Sequence, residues 1–370
     1  MRHILFLIFS SLLLLSCKPS GNGGGGGLLG GGGDSSKPKP IDPKSLEVIS
    51  LFVGGEKVAF LENPKTRDLL ARNHGIRLDA IKAGSVEMVR SLDTQGKDAL
   101  WPSNDIAVEF FKMRGGKPVK DDIMFNSPIV VYTGWNVANA LIQEGYVQKR
   151  NESYYIIKFP ELLKDIEAGK KWKDIGLNLY GNLSIRCTDP TKSNSGNMFA
   201  GLVANMMNEG EVVELDDIGS VGPKVDEFFG KLGMMEHSSG DIFRKFIATG
   251  IQNSMVVGYE NQIIEFMLAH PNSRQAIQSS VCILYPQPTV WSSHPVIALN
   301  EKGKKLIEAL SDPAIQELAW REHGFRSGLM GVTQDVSVHG HPNIPQNIES
   351  VMPLPTAEAM DALVRLLSDS

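Results

Sequence analysis

Read for apolar and polar positions, the chain alternates between short β-rich runs and helical stripes. Residues 46–53 form an apolar, β-prone run that breaks at Gly54-Gly55, as a buried strand entering a turn would. Asn63 then Pro64 gives a helix cap and a first-turn proline, Leu69 and Leu70 supply an apolar face, and Gly75 stops the helix. A second strand is predicted over 76–82, so the unit is βαβ, with a parallel pair and a right-handed crossover. The spacing predicts a helix over 85–92, then a short strand in "DALW" that meets the polar turn Pro102-Ser103-Asn104. Asn126-Ser127-Pro128 reads as a further turn, followed by an apolar strand over 129–132.

A second round follows. "ELLKDIEAGKKW" is helical in character, and 183–187 reads as a strand. It ends in the polar turn "TDPTKSNSG", after which Met198, Phe199, Leu202, Val203, Met206 and Met207 recur as one broad helical stripe closed by Gly210. The hydroxyl-rich turn therefore sits between a strand's C-terminal end and a helix's N-terminal end. A helix near 240–248 precedes "SMVVG", a strand running into another helix, and then a long β-prone stretch containing Pro286, Pro288 and Pro295. Two well-punctuated helices come next, one capped by Asn300, the other opened by Asp312-Pro313 and ended by Gly324. A last short helix is predicted over 356–367, and no internal repeat is found. The rhythm is α/β.

The N-terminus has a different grammar. Arg2 and His3 precede an apolar run over 4–15, too short to span a bilayer, and the chain then reads Leu14-Leu15-Ser16-Cys17. This describes a secretory signal, and the four residues resemble the lipobox of bacterial lipoproteins. That resemblance implies lipidation at Cys17, hence a membrane anchor. "KPSGNGGGGGLLGGGGDSSKPKP" has almost nothing to bury and reads as a flexible tether over 17–44.

Roughly 325 residues remain, more than one core usually serves, so two domains are expected. Removing Arg2 with the signal takes the formal charge from −5 to −6, and no basic excess points to nucleic acid. Cys187 and Cys282 are left in a compartment that permits disulfides; a bridge between them and two separate buried thiols are both open.

In order, "FVGGEK", "NSPIVVYTG", "TDPTKSNSG", "YPQPTVWSSHPVIALN" and "LSDPAIQELAWREHGF" resemble the extracellular solute-binding proteins of bacterial transporters, specifically the type II, molybdate-like class. The resemblance implies an α/β, two-lobed type II periplasmic-binding-protein fold. The first lobe would comprise 45–132 and 287–370, the second 133–286, with crossover hinge strands at 129–133 and 283–288.

In open α/β sheets ligands settle beyond the C-terminal strand ends, where helix N-termini converge. Ser193, Asn194 and Ser195 offer donors there, and Gly196 permits close backbone approach. An ordinary N-cap accounts for one such residue, not four. Gly55, Glu56, Lys57, Ser103, Asn104 and Ser127 occupy corresponding turns of the first lobe, and Tyr259 ends the "SMVVG" strand. Turn chemistry and packing are the competing explanations. An oxyanion suits neutral donors and helix dipoles, with Lys57 and Lys192 adding charge, whereas Glu56 and Glu260 oppose an anion if they face the cleft.

His339 and His341 form the one close histidine pair and lack a carboxylate or cysteine at usual ligand spacing, so no metal site is expected. No cofactor is expected, and no Gly-x-Ser-x-Gly, His-Glu-x-x-His or Walker loop marks an enzyme. The expectation is a lipid-anchored, extracytoplasmic protein that captures a small polar or anionic solute for an ABC-type importer. The alternative is a surface interaction or signalling lipoprotein. Lys18, following Cys17, leans that way in a Gram-negative envelope, since the position commonly holds aspartate in inner-membrane lipoproteins.

Overall fold

The computed structural model describes residues 42–251, 254–341 and 343–368. The expected signal, Cys17 and nearly all of the tether lie outside the described residues. Strand β1 (Glu47–Val53) leads through α1 (Val58–Glu62) and α2 (Pro64–His74) to β2 (Ile76–Lys82), which pairs with β1 in parallel. The punctuation acts as its chemistry requires: Asn63 accepts a hydrogen bond from the Lys65 N–H, and Gly75 ends α2 at φ 64°. Next come α3 (Ser85–Arg90), β3 (Ala99–Trp101), which is parallel to β1 on its other side, and α4 (Ile106–Met113).

The longest strand, β4 (Lys120–Gly134), follows. It is continued by α5 (Trp135–Gln143), the hairpin β5 (Val147–Arg150) and β6 (Ser153–Ile156), α6 (Phe159–Glu167), β7 (Ile185–Arg186), α7 (Asn194–Met207), α8 (Ile218–Leu232) and α9 (Ser239–Lys245). Then come β8 (Met255–Tyr259), α10 (Glu260–Ala269), α11 (Arg274–Ser280), β9 (Val281–Pro286), β10 (Trp291–Ala298), α12 (Glu301–Leu310), α13 (Pro313–His323), β11 (Arg326–Ser327) and α14 (Ala357–Ser368).

Two mixed sheets share β4. Its first half lies in the order β2-β1-β3-β10-β4 with β11 on the far edge, and its second half pairs with β9 on one side and β8 on the other. The fold is therefore α/β and two-lobed, with helices packed around each sheet.

Asn126-Ser127-Pro128 is not the turn expected from its composition; it lies inside β4. Pro128 falls where one edge changes partner, between Asn126 beside β11 and Ile129 beside β8, so its missing N–H removes no ladder bond. The other crossing runs through residues 287–290, between β9 in one sheet and β10 in the other.

Helix α7 is more deeply set than a single stripe implies: every residue from Ser195 to Met206 is buried. Its small-residue face is covered by the C-terminal segment, and a Cβ on Gly201 would lie 2.8 Å from Leu354 and 3.0 Å from Pro355. This segment lies along the second crossing, where Thr289 N–H donates to Ser350 O (3.0 Å) and Met352 N–H donates to Thr289 O (2.9 Å). The Thr289 hydroxyl in turn donates to Ile129 O on β4 (2.6 Å). Helix α14 then packs on α8, Met360 and Leu363 inward, while Asp361 pairs with Arg90 of α3, whose guanidinium lies 4.2 Å over the Phe110 ring.

The disulfide alternative does not hold. Cys187 and Cys282 are both free and buried. Cys187 follows β7 and Cys282 lies on β9, with β8 and β4 between them. Three strand spacings put them about 14 Å apart, twice the reach of a bridge at about 7 Å.

Candidate functional site

A cleft of about 800 Å³ opens between the lobes. Its first wall is built where β1 and β2 end, at Gly55, Glu56 and Lys82; its second wall is built where β7 and β8 run into helices, at Ser193, Asn194 and Asn261. Both walls thus stand at C-terminal strand ends, where helix starts leave backbone N–H groups unpaired.

Of the residues singled out in the sequence, Gly55, Glu56, Lys192, Ser193 and Asn194 line this cleft. Lys57, Ser103, Asn104, Ser127, Ser195 and Tyr259 are buried, as is Gly196, and they form the layer beneath it. The short turn after Gly54 sends successive side chains opposite ways, so Glu56 meets the cleft while Lys57 points into the lobe. The Lys57 ammonium donates to Pro102 O (3.1 Å) and Ser103 Oγ (2.7 Å) and sits 2.9 Å from His294 Nδ1. Burial lowers its pKa to about 7, against an opposing pull from Glu56, and burial followed by the Lys57 charge holds His294 well below the ordinary histidine range.

The Ser103 hydroxyl donates to Glu56 Oε2 (2.6 Å), giving a lysine–serine–glutamate chain from the interior to the cleft wall. Gly54 makes room for it: an added Cβ would stand 2.4 Å from Ser103 Oγ and 2.9 Å from Lys57 Nζ.

Asn194, at the start of α7, reaches across to the first lobe. Its Oδ1 accepts from Asn104 Nδ2 (2.6 Å), and its Nδ2 lies within donating distance of Ser103 O (3.1 Å) and the Tyr259 hydroxyl (3.0 Å). Asn104 is itself fixed because its Oδ1 caps α4, accepting from the Ala107 N–H (3.0 Å). Behind Asn194, the Ser195 and Thr188 hydroxyls are 2.7 Å apart, and Ser193 Oγ lies 3.2 Å from Ser195 Oγ. Gly196 passes so close to the preceding turn that a Cβ would fall 2.2 Å from Thr188 O. The Tyr259 phenol is pushed well above its usual pKa by burial and then by the Glu56 charge, so it stays protonated.

Across the lobes, Ser127 on β4 donates to Asn261 Oδ1 and accepts from the Asn261 N–H, both at 3.2 Å. Glu260 does not face the cleft. It is fully buried, with its oxygens accepting from Arg326 Nε (2.6 Å) and Nη2 (3.0 Å) and from the Tyr285 hydroxyl (2.7 Å). Its charge is therefore neutralised inside the protein.

Sequence reasoning missed several lining groups. Lys82, Arg90, His237, Ser238, Ser239 and Arg244 all reach the cleft. A signal for Lys82 was present, since it ends a strand parallel to β1; Arg90 and Arg244 sit within helices, where sequence does not reveal which face meets a cleft. Among the described residues no three of His, Cys, Asp and Glu come together to hold a metal ion.

No protein-family model and no curated protein matches the chain. Solved structures do, at the level of fold. The chain is similar to apo FutA2 from Synechocystis, with 14% identity over 88% of this chain and 98% of that one and a TM-score of 0.53. It is similar to the apo ferric ion-binding protein A of Pasteurella haemolytica, with 15% identity, 87% and 97% covered, and a TM-score of 0.56. It is also similar to a substrate-binding protein of an ABC transporter from Agrobacterium tumefaciens, with 12% identity, 88% and 94% covered, and a TM-score of 0.54. The chain thus shares the two-lobed fold of periplasmic binding proteins.

Proposed function

We propose that this chain is an extracytoplasmic solute-binding protein that captures a small polar or anionic solute between its lobes and delivers it to an ABC-type importer. The observation that carries the reading is Asn194, whose amide joins the start of α7 to Ser103 and Asn104 at the opposite strand-to-helix junctions. A solute that offers the same hydrogen bonds can replace this contact and hold both walls at once, which is how a ligand favours a closed hinge state. Residues 45–132 with the chain from 287 form the first lobe in this reading and 133–286 the second, and a lipid on Cys17 tethers the body to a membrane. The names of its structural neighbours support the same role: one is a substrate-binding protein of an ABC transporter, and another, from Trichodesmium, was solved with iron and citrate.

The test is a thermal-shift screen of the purified chain against molybdate, sulfate, phosphate, ferric iron with and without citrate, and amino acids. A solute at one hundred times its Kd stabilises the folded state by about 2.7 kcal/mol, which is easily read. If no small solute raises the melting temperature, the import reading is wrong.

A further inference from the structure

Resting on that solute-binding reading, we propose that the cleft takes a polar organic anion, larger than a simple oxyanion, and that Lys82 is the residue that selects its charge. Every lysine and arginine that lines the cleft is paired with a carboxylate, with one exception. Lys192 pairs with Asp189 (3.1 Å), Arg90 with Asp361 and Arg244 with Asp241. On the acidic side, Glu265 is held by His323 (2.6 Å), Glu87 accepts from the Gly84 N–H (3.3 Å), and Glu56 accepts from Ser103 with the Lys57 ammonium behind it. Among the described residues, Lys82 alone of the lysines and arginines lining the cleft has no hydrogen-bond or ion-pair partner.

Its position fits the role. Lys82 is the last residue of β2, parallel to β1, so it stands at the strand end where such sheets bind ligands. Its side chain lies across Gly55, whose added Cβ would meet Lys82 Cε at 2.8 Å. Gly55 therefore keeps open the path by which this ammonium leans over the first wall of the cleft, whose second wall carries Ser193 and Asn194.

Size and lining give the rest of the class. A space of about 800 Å³ lies in the range of sites for organic ligands, about 300–1,000 Å³, and four oxygens around one centre leave most of it unfilled. Among the described residues no phenylalanine, tyrosine or tryptophan lines it, whereas serine, threonine, asparagine and glutamine together are abundant. A solute with several hydroxyl or carbonyl groups and one or more carboxylates or phosphates matches that surface.

The experiment is calorimetry on the full-length chain with citrate, glycerol 3-phosphate, inorganic phosphate, sulfate and glycerol, repeated with Lys82→Met, Lys82→Arg and, as a control for net charge, Lys224→Met on the exposed face of α8. An organic anion is expected to bind more tightly than phosphate or sulfate. Lys82→Met should weaken it about 10- to 100-fold, the loss of one charge-assisted hydrogen bond, Lys82→Arg should restore most of it, and Lys224→Met should leave it unchanged. Binding of glycerol or of simple oxyanions in preference to organic anions would overturn this inference and leave the solute-binding reading standing. So would an organic anion indifferent to Lys82→Met. Binding of no probe here or in the wider screen would overturn both.

Discussion

Replacing Glu260 by glutamine keeps its shape and removes its charge, which isolates one buried ion pair. Glu260 is fully buried and Arg326 is 9% exposed, so the guanidinium that remains after substitution cannot recover its hydration. It keeps two neutral acceptors, Pro345 O (2.7 Å) and Gln346 O (2.9 Å), while the new amide NH2 is turned either against Nε or against both Nη2 and the Tyr285 hydroxyl. Breaking a buried pair from one side costs about 3–5 kcal/mol, against about 0–1 kcal/mol for a surface pair. The two surviving carbonyl contacts place Glu260→Gln near 3 kcal/mol. At about 2 °C per kcal/mol for a body of this size, the melting temperature should fall by about 6 °C. The assay is urea unfolding followed by tryptophan fluorescence, with Arg326→Leu and the double variant completing a cycle. The double variant should be more stable than Glu260→Gln, because no unpaired charge is left buried. A loss below about 1 kcal/mol for Glu260→Gln, or a double variant that simply adds the two single losses, would refute the buried-charge argument.

Asn194→Ala with Ser195→Ala should weaken solute binding about tenfold or more with little loss of fold; unchanged affinity would remove the start of α7 from the site. Lys57 has a folded pKa of about 7 against 10.5 for a free lysine, so the unfolded chain holds a proton that the folded one lacks between these values. Stability should therefore rise from pH 7 to pH 9, by up to about 1.4 kcal/mol per pH unit, and Lys57→Met should flatten that slope. His339 and His341 are depressed to about 4 by burial, with nearby arginines adding to the effect at His339, and their contribution is present above pH 6.5 and lost as pH falls toward 4. Each contributes at most about 3 kcal/mol to acid unfolding, so a His339→Phe, His341→Phe double variant should unfold at lower pH than the parent; an unmoved acid midpoint would contradict their burial in neutral form.

Local chemistry made some elements legible and hid others. Asn63-Pro64 with Gly75, and Asp312-Pro313 with Gly324, delimit helices because caps and left-handed stops act on their own residues, and both helices form as read. Helix α8 escaped because Gly219, Gly222 and Pro223 punctuate its first turns; Gly222 instead lets Leu366 of α14 pack close, a reason that lies in another part of the chain. Asn126-Ser127-Pro128 misled in the opposite sense, since turn-forming residues there serve a strand that changes sheets. In the cleft, the polar turn before α7 was readable as a run of donors. The direction of each side chain was not: Glu56 and Lys57 are neighbours, yet one meets the cleft and the other is sealed beneath it. Nothing in the sequence alone ties Glu260 to Arg326, sixty-six positions away.

The company kept by Thr289 also limits how the lobes can swing. Two slender connections by themselves form a pivot that tolerates rotation about several axes. Here residues 350–352 bond to both sides of Thr289 in a single bridge, and the Thr289 hydroxyl donates to Ile129 O of β4, so a third segment is bonded into the crossing. Any bending at this crossing carries the C-terminal segment with it, and among the described residues that segment contributes only Val364 to the cleft lining.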